Sequence, residues 1–325
     1  MMGQLLYLKN HEIDREKWDK CIEESPQGVI YALSWYLDFC DSEWEAVVEI
    51  KDEQYLTVMP IQLKKKYNFT FIHQDLYTFV LGVFSVKEGF SRKDFWQCVN
   101  TAFSKFRYIA KYRFNTDNNC FFLESEFQTK SLTHHLAIDK PYEELKKEYS
   151  KDRVKNLKRS QKKEQRVIAS KDYTSLIEMF GTYTLPRISN LLFLPETDLK
   201  LFELADQLGF SELYLVVDNL GNKLAGGIFL KFKDRITVIY GSTTDKGKKY
   251  SSRTLLMDYV INKYANSIYT ILDFTGGNHP GVAHFKKGFG AKELVINEVQ
   301  ISKFPKLINE ANAVRRKFIR KYLVR

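Results

Sequence analysis

Residues 271–291 read ILDFTGGNHPGVAHFKKGFGA, and the fold is decided there. A short apolar strand ends on an acid, Asp273. A Gly-Gly turn follows, then a short helix carrying His284, Phe285, Lys286 and Lys287. The helix stops at Gly288-Phe289-Gly290, and a second strand begins at Ala291. A strand that ends on a polar residue, before a glycine turn and a helix N-terminus, is a common way to build a site. The same letters also describe an ordinary strand–turn–helix with a glycine cap.

The residues before this stretch give it a context. Period-two alternation predicts three successive strands, Glu212–Val217, Lys223–Lys233 and Arg235–Ser242, joined by turns at Asp218-Asn219-Leu220-Gly221 and Lys233-Asp234. A loop, Thr243–Tyr250, leads into a helix over Ser251–Tyr264 that Ser251 or Ser252 can cap. Leu255, Leu256, Tyr259, Val260 and Tyr264 form its buried stripe. A strand over Ile268–Phe274 follows, then the short helix, a strand over Lys292–Ser302 and a final helix over Asn309–Leu323. The crossover makes the strands at 235–242 and 268–274 parallel neighbours. Parallel strands that splay leave a crevice at their carboxyl ends. A ligand entering it meets Tyr240, Ser242, Thr243 and the helix start at Ser251-Ser252. Backbone amides there, with Lys246, Lys248 and Lys249, suit a pyrophosphate or another polyanion. A solvated lysine-rich loop is the plain alternative.

The front half reads as a mixed α/β unit. Strands are expected at Leu5–Leu8, Trp44–Ile50, Gln54–Leu63, Phe69–Ile72, Arg107–Phe114 and Cys120–Glu124. Helices are expected at Asp14–Glu24, from Ser34, and at Ser91–Lys105, where Ser91 caps and Phe95, Val99, Ala102, Phe103 and Phe106 share a face. A second unit begins near Lys140. Pro141 opens a helix, a basic helix covers about Lys151–Lys163, and Leu176–Leu185 and Thr197–Gln207 are helical. This places two domains at 1–139 and 140–325.

The chain has 325 residues, 44% of them hydrophobic and 14% aromatic, enough for two ordinary domains with large cores. No apolar run approaches the roughly 20 residues of a membrane span, and the first residues have no signal-peptide pattern. A soluble, cytoplasmic protein is the expectation. Cys21, Cys40, Cys98 and Cys120 lack CxxC spacing, and the histidines lack HExxH or HxH spacing, so no metal and no disulfide framework is expected. Net charge is +10. Lys146–Arg166 alone carries ten basic and three acidic residues. Such surfaces favour phosphates, nucleic acids or acidic lipid headgroups. With Tyr149 as the one aromatic residue in that region, specific nucleic-acid recognition has little to work with.

The order of elements from Glu212 to Ser302 resembles the GCN5-related N-acetyltransferases. Particular segments are similar to the branch containing Fem-type peptidoglycan-bridge aminoacyltransferases and BioF2-like acetyltransferase domains. These are Tyr149–Lys163, GGIFL at Gly226–Leu230, YGSTTD at Tyr240–Asp245, LDFTGG at Leu272–Gly277 and FKKGFGA at Phe285–Ala291, with YALSWYLDF at Tyr31–Phe39 and MPIQLKKK at Met59–Lys66 in the front half. The resemblance implies a mixed α/β fold of two tandem acetyltransferase-like domains, each a mostly antiparallel sheet flanked by helices. It implies acyl transfer from acetyl-CoA or another acyl-CoA to an amine, of a small molecule or a cell-envelope precursor. The runners-up are a Fem-like enzyme using aminoacyl-tRNA and a non-catalytic binding protein that keeps the fold. The Q/R-x-x-G-x-G/A phosphate loop of ordinary acetyltransferases is replaced by DKGKKYSS at Asp245–Ser252, with one glycine.

Acyl transfer to an amine needs a deprotonated amine, a polarised carbonyl and a protonated leaving group. No G-x-S-x-G elbow or Cys–His signature is present, so direct attack is the economical mechanism. Asp273 is the first candidate for amine binding or general-base work. The resemblance offers His284 the place of the general acid. Tyr240 and Ser242 would line the crevice, and Lys286 would reach an anionic donor.

Overall fold

A computed structural model describes residues 3–41, 43–66, 68–123, 129–188, 192–276 and 279–304. They fall into two compact units, one drawn from Met1–Ser131 and Val295–Arg325, the other Leu132–Leu294. The sequence reading places the division at 139/140. The first unit is discontinuous, because the last described strand pairs with it, and the second starts within a strand the sequence reading missed. The helix expected at 309–323 lies outside the described residues.

In the first unit, strands β1 (Gln4–Leu8), β2 (Glu45–Lys51), β3 (Gln54–Ile61) and β6 (Phe84–Ser85) form an antiparallel sheet in the order β1-β2-β3-β6. The β2–β3 hairpin turns on Asp52 and Glu53, both at positive φ (48° and 61°), the twist-matching geometry of a two-residue hairpin. Strands β4 (Leu63–Lys66) and β5 (Phe69–His73) form a second hairpin, and β5 pairs in parallel with β7 (Tyr108–Arg113). Helix α1 (Arg15–Glu24) is capped by Asp14, and α2 spans Ser34–Cys40. Helix α3 (Arg92–Ser104) opens on a Ser91/Asp94 capping box and buries Phe95, Val99, Ala102 and Phe103. The strand expected at 120–124 is not formed over its described residues. Asn115 instead accepts from the amides of Asp117 and Asn118 and starts a 3₁₀ turn over Thr116–Phe121.

The second unit opens with β8 (Thr129–Ala137), α4 (Tyr142–Lys147), the basic helix α5 (Lys151–Gln161) and the edge strand β9 (Arg166–Ser170). Helices α6 (Tyr173–Tyr183) and α7 (Pro195–Gln207) precede the meander β10 (Ser211–Val217), β11 (Lys223–Phe232) and β12 (Arg235–Thr243). Then come α8 (Asp245–Lys249), α9 (Ser252–Tyr264), β13 (Ile271–Asp273), α10 (Pro280–Lys287) and the first residues of β14 (Lys292–Ser302), which belongs to the first unit from Val295 on. The strand order is β8-β13-β12-β11-β10-β9. All neighbours are antiparallel except β12 and β13, which run parallel as the crossover requires. Helix α9 buries Leu256, Met257, Val260, Ile261 and Tyr264 against this sheet, in a core with Tyr214, Phe229, Ile236, Leu272 and Phe289. Leu255 and Tyr259, expected on the buried stripe, are half-buried at its margin.

Three local expectations are corrected. The loop expected at 243–250 is the end of β12 followed by α8, because Thr244 caps a helix there, its hydroxyl accepting from the Gly247 amide at 3.0 Å. Neither serine caps α9. Ser251 is left-handed (φ 60°) without a side-chain cap bond, and Ser252 donates to Gln165 Oε1 at 2.6 Å. The strand expected over 268–274 shrinks to three residues, with Ile268 exposed.

Candidate functional site at the parting of two strands

Strands β12 and β13 pair only where Arg235–Thr237 faces Ile271–Asp273. Beyond this, β13 stops and β12 runs on to Thr243. A bulge helps it turn away: Ile228 faces Tyr240 and Phe229 faces Val238, which leaves Ile239 as an extra residue. The last tie between the two chains is Thr275 Oγ1 donating to the Val238 carbonyl at 2.8 Å. Among the described residues, no strand pairs with 240–243 on that edge. The parting expected from the sequence is therefore present.

Lys286 reaches it from α10. The residue is buried, and its ammonium donates to the carbonyls of Thr275 and, at 2.7 Å, of Gly276. Burial pushes its pKa down to about 8, with Arg253 adding to the fall and Asp273 opposing it. An ammonium has three N–H donors. Among the described residues these two carbonyls are its partners, which leaves one N–H for a ligand oxygen.

Arg253, from the first turn of α9, is the second cation. Its Nη1 donates to the Gly226 carbonyl at 3.1 Å, and burial pushes its pKa down to about 10. A Cβ at Gly241 would stand 2.0 Å from that nitrogen, so Gly241 is the notch that admits the guanidinium. Burial and the nearby Lys286 charge push the pKa of buried His134, on β8, down. Sequence reasoning missed Arg253 and His134. The one available signal was an arginine inside the first turn of an otherwise core-facing helix.

Asp273 is brought to this place but not into the open. It is buried, accepts from Thr133 Oγ1 at 3.1 Å and from the Thr275 amide at 2.8 Å, and lies 3.4 Å from His135 Nε2 and 3.9 Å from Arg235 Nη1. Burial by itself would raise its pKa. His135, Arg235 and the Thr275 amide outweigh burial and hold it down at about 2. A carboxylate so occupied is a poor proton acceptor for an incoming amine. Through the Thr275 amide it is tied to the turn whose carbonyls accept from Lys286.

The other expected residues lie elsewhere. Tyr240 faces the α6–α7 side, its hydroxyl 3.1 Å from Asp198 Oδ2 and its ring 4.5 Å from that of Phe180. Ser242 faces the same way, donating to the Met179 carbonyl at 2.9 Å. Thr243 ends β12 opposite Ala225. His284 is exposed on the outer side of α10, 3.7 Å from Asp152. Lys246 is engaged by Asp218 at 2.7 Å and Lys248 by Asp245 at 3.0 Å, while Lys249 is exposed.

Gly247 of α8 is packed so tightly that a Cβ would stand 2.1 Å from the Leu224 carbonyl oxygen. Gly247→Ala must push a helix off a strand backbone. It is expected to cost about 1–3 kcal/mol, read as a lower midpoint in denaturant at unchanged slope.

Solved structures share this architecture. That of FemX has 14% sequence identity, covers 92% of this chain and 98% of its own, and superposes with a TM-score of 0.66. A conserved protein of unknown function from Bacteroides thetaiotaomicron gives 9%, 93%, 100% and 0.58. L-PGS from Bacillus licheniformis gives 10%, 96%, 98% and 0.55. The Fem-type, acetyltransferase-like fold expected from the sequence is the fold these likenesses show. No family profile matches the sequence, and no curated protein does.

Proposed function

We propose that this chain is an acyltransferase that moves an acyl group from an activated donor to an amine by direct attack, in the parting between β12 and β13. The observation that carries this reading is Lys286: a buried cation with one undirected N–H, at the end of a short strand beside a diverging one. As the amine attacks, the carbonyl oxygen gains negative charge. A fixed N–H donor in a dry setting stabilises that charge far more than water does. Arg253 adds a second positive charge nearby, and the fold shared with FemX supports the same reading. With Asp273 occupied, the amine gives its proton to solvent or to the departing group.

The donor we put first is an acyl-CoA thioester. A second donor, the aminoacyl ester of a tRNA, is favoured by one observation: Lys246 and Lys248 of the expected phosphate-binding segment are engaged by acids, and Gly247 is closed against β11. Calorimetry with acetyl-CoA, longer acyl-CoAs and charged tRNA separates the two. Thioester binding, with turnover that Lys286→Met lowers, supports the first. Binding of charged tRNA alone, with a steep salt dependence, supports the second. Failure to bind any of them sinks the acyl-transfer reading.

A further inference from the structure

The outer face of α5 has no part in the reading above. Its inner face is committed: Leu157 and Ser160 are buried, and Arg153 donates to Thr254 Oγ1 at 3.3 Å and stacks 4.7 Å over the Phe285 ring. Outward, Lys151, Lys155, Lys158 and Lys162 recur at helical spacing with Arg159 beside them, a stripe about 16 Å long. They rim a shallow groove of about 640 Å³ whose floor is Tyr149 and Val154.

Other lysines of this chain find acids. Lys9, Lys87, Lys223, Lys231, Lys246 and Lys263 all pair with carboxylates. Among the described residues, no carboxylate lies within ion-pair distance of the five cations of the stripe. The one acid of the helix, Asp152, faces His284 instead. Uncompensated charge of one sign, spread along an exposed helix, calls for an extended anionic partner.

We propose that this stripe docks the protein on an anionic lipid bilayer. Lysine stems lie along apolar surface while their ammonium groups reach phosphate level, and the apolar floor between them gives acyl and glycerol carbons a place to rest. Polybasic segments gain membrane affinity with each cation that comes within a Debye length of the surface. RNA is the other polyanion of suitable length, but sites that hold single strands add aromatic platforms. Tyr149 cannot serve as one, being buried with its ring edge-on to Phe289 at 5.1 Å.

The test uses the full chain and vesicles of phosphatidylcholine with or without phosphatidylglycerol, at about 0.1 M salt, where the Debye length is about 10 Å. Binding is expected to the phosphatidylglycerol vesicles and not to the neutral ones. Lys155→Gln/Lys158→Gln/Lys162→Gln should weaken it by roughly a hundredfold. Lys151→Gln/Arg159→Gln should weaken it less, in the same direction. Lys64→Gln/Lys65→Gln/Lys66→Gln makes the same change of net charge on strand β4 and should leave binding within about threefold. Circular dichroism confirms that the variants fold. No binding to anionic vesicles, or an equal loss in both triple variants, overturns the proposal. So does tighter binding to single-stranded polyuridylate that the α5 variant alone loses.

Discussion

Lys286→Met is expected to lower acyl transfer by about a hundred- to a thousandfold, the range seen when one donor to a developing oxyanion is removed. The substitution keeps most of the volume and all of the apolar stem. It removes the two hydrogen bonds to the Thr275 and Gly276 carbonyls together with the free N–H. Since the native ammonium is buried and its pKa is pushed down to about 8, the fold should tolerate the loss, and an unchanged thermal midpoint will separate chemistry from collapse. The pH profile is the stricter test. If Lys286 works as a cation, turnover is level below its pKa and declines as pH rises through about 8. If it were the general base, turnover would climb over the same interval. Lys286→Arg restores charge without the geometry and should recover only part of the rate. Native turnover in Lys286→Met removes Lys286 from the mechanism, and with it the observation on which the functional reading rests.

Asp273→Ala is the change expected to cost most in stability, about 3–5 kcal/mol, because it leaves buried partners of an ion pair behind. Arg235 and His135 lose their common carboxylate, and Thr133 Oγ1 and the Thr275 amide lose their acceptor. The sign of the pH effect follows from the direction of the shift. The folded pKa, about 2, lies below the ordinary 3.8. The contribution is therefore fully present above about 3.8 and is lost as pH falls through about 2. It amounts to roughly 2 kcal/mol at about 1.4 kcal/mol per unit. Melts of native protein and Asp273→Ala at pH 2 to 7 should converge at the acid end. The milder Asp273→Asn should also slow turnover, through the slackened turn under Lys286. Parallel melting curves at every pH, with an unchanged midpoint, would show that the Asp273 ion pairs add nothing to stability.

The meander β10–β12, helix α9 and the stretch from β13 to β14 were legible because apolar runs there are bounded by conventional turn residues at Asp218–Gly221, Lys233-Asp234 and Gly288–Gly290. Strand β8 stayed hidden for a physical reason. Thr133 and His134 are buried polar residues, and Thr133 is satisfied by a neighbour 140 positions away, Asp273. A strand that buries polar side chains at successive positions does not show apolar–polar alternation. For the same reason Asp273 read as a candidate base: its partners come from β8 and from the start of β12, and no local spacing reveals them. The pair Ser251-Ser252 looked like a helix cap, but tertiary contact with Gln165 took the second hydroxyl. Lys286 was legible as a residue and not as a role, since its depressed basicity comes from burial. Arg253 depends on a notch at Gly241 that exists only once β12 and α9 are packed.

The discontinuous first unit sets an order of maturation on the ribosome. The second unit is one uninterrupted stretch, Leu132–Leu294, and can close its core as soon as that stretch emerges. The first cannot. Strand β7 waits for β14, with Arg113 paired to Glu298, 185 positions further along the chain. At about 5–20 residues per second of synthesis, one edge of β7 stays open for many seconds, displaying Tyr108, Ile109 and Tyr112 to other nascent chains. Of the two units, the one whose synthesis starts first is thus the last to be finished, and the hazard of mispairing is concentrated in that interval.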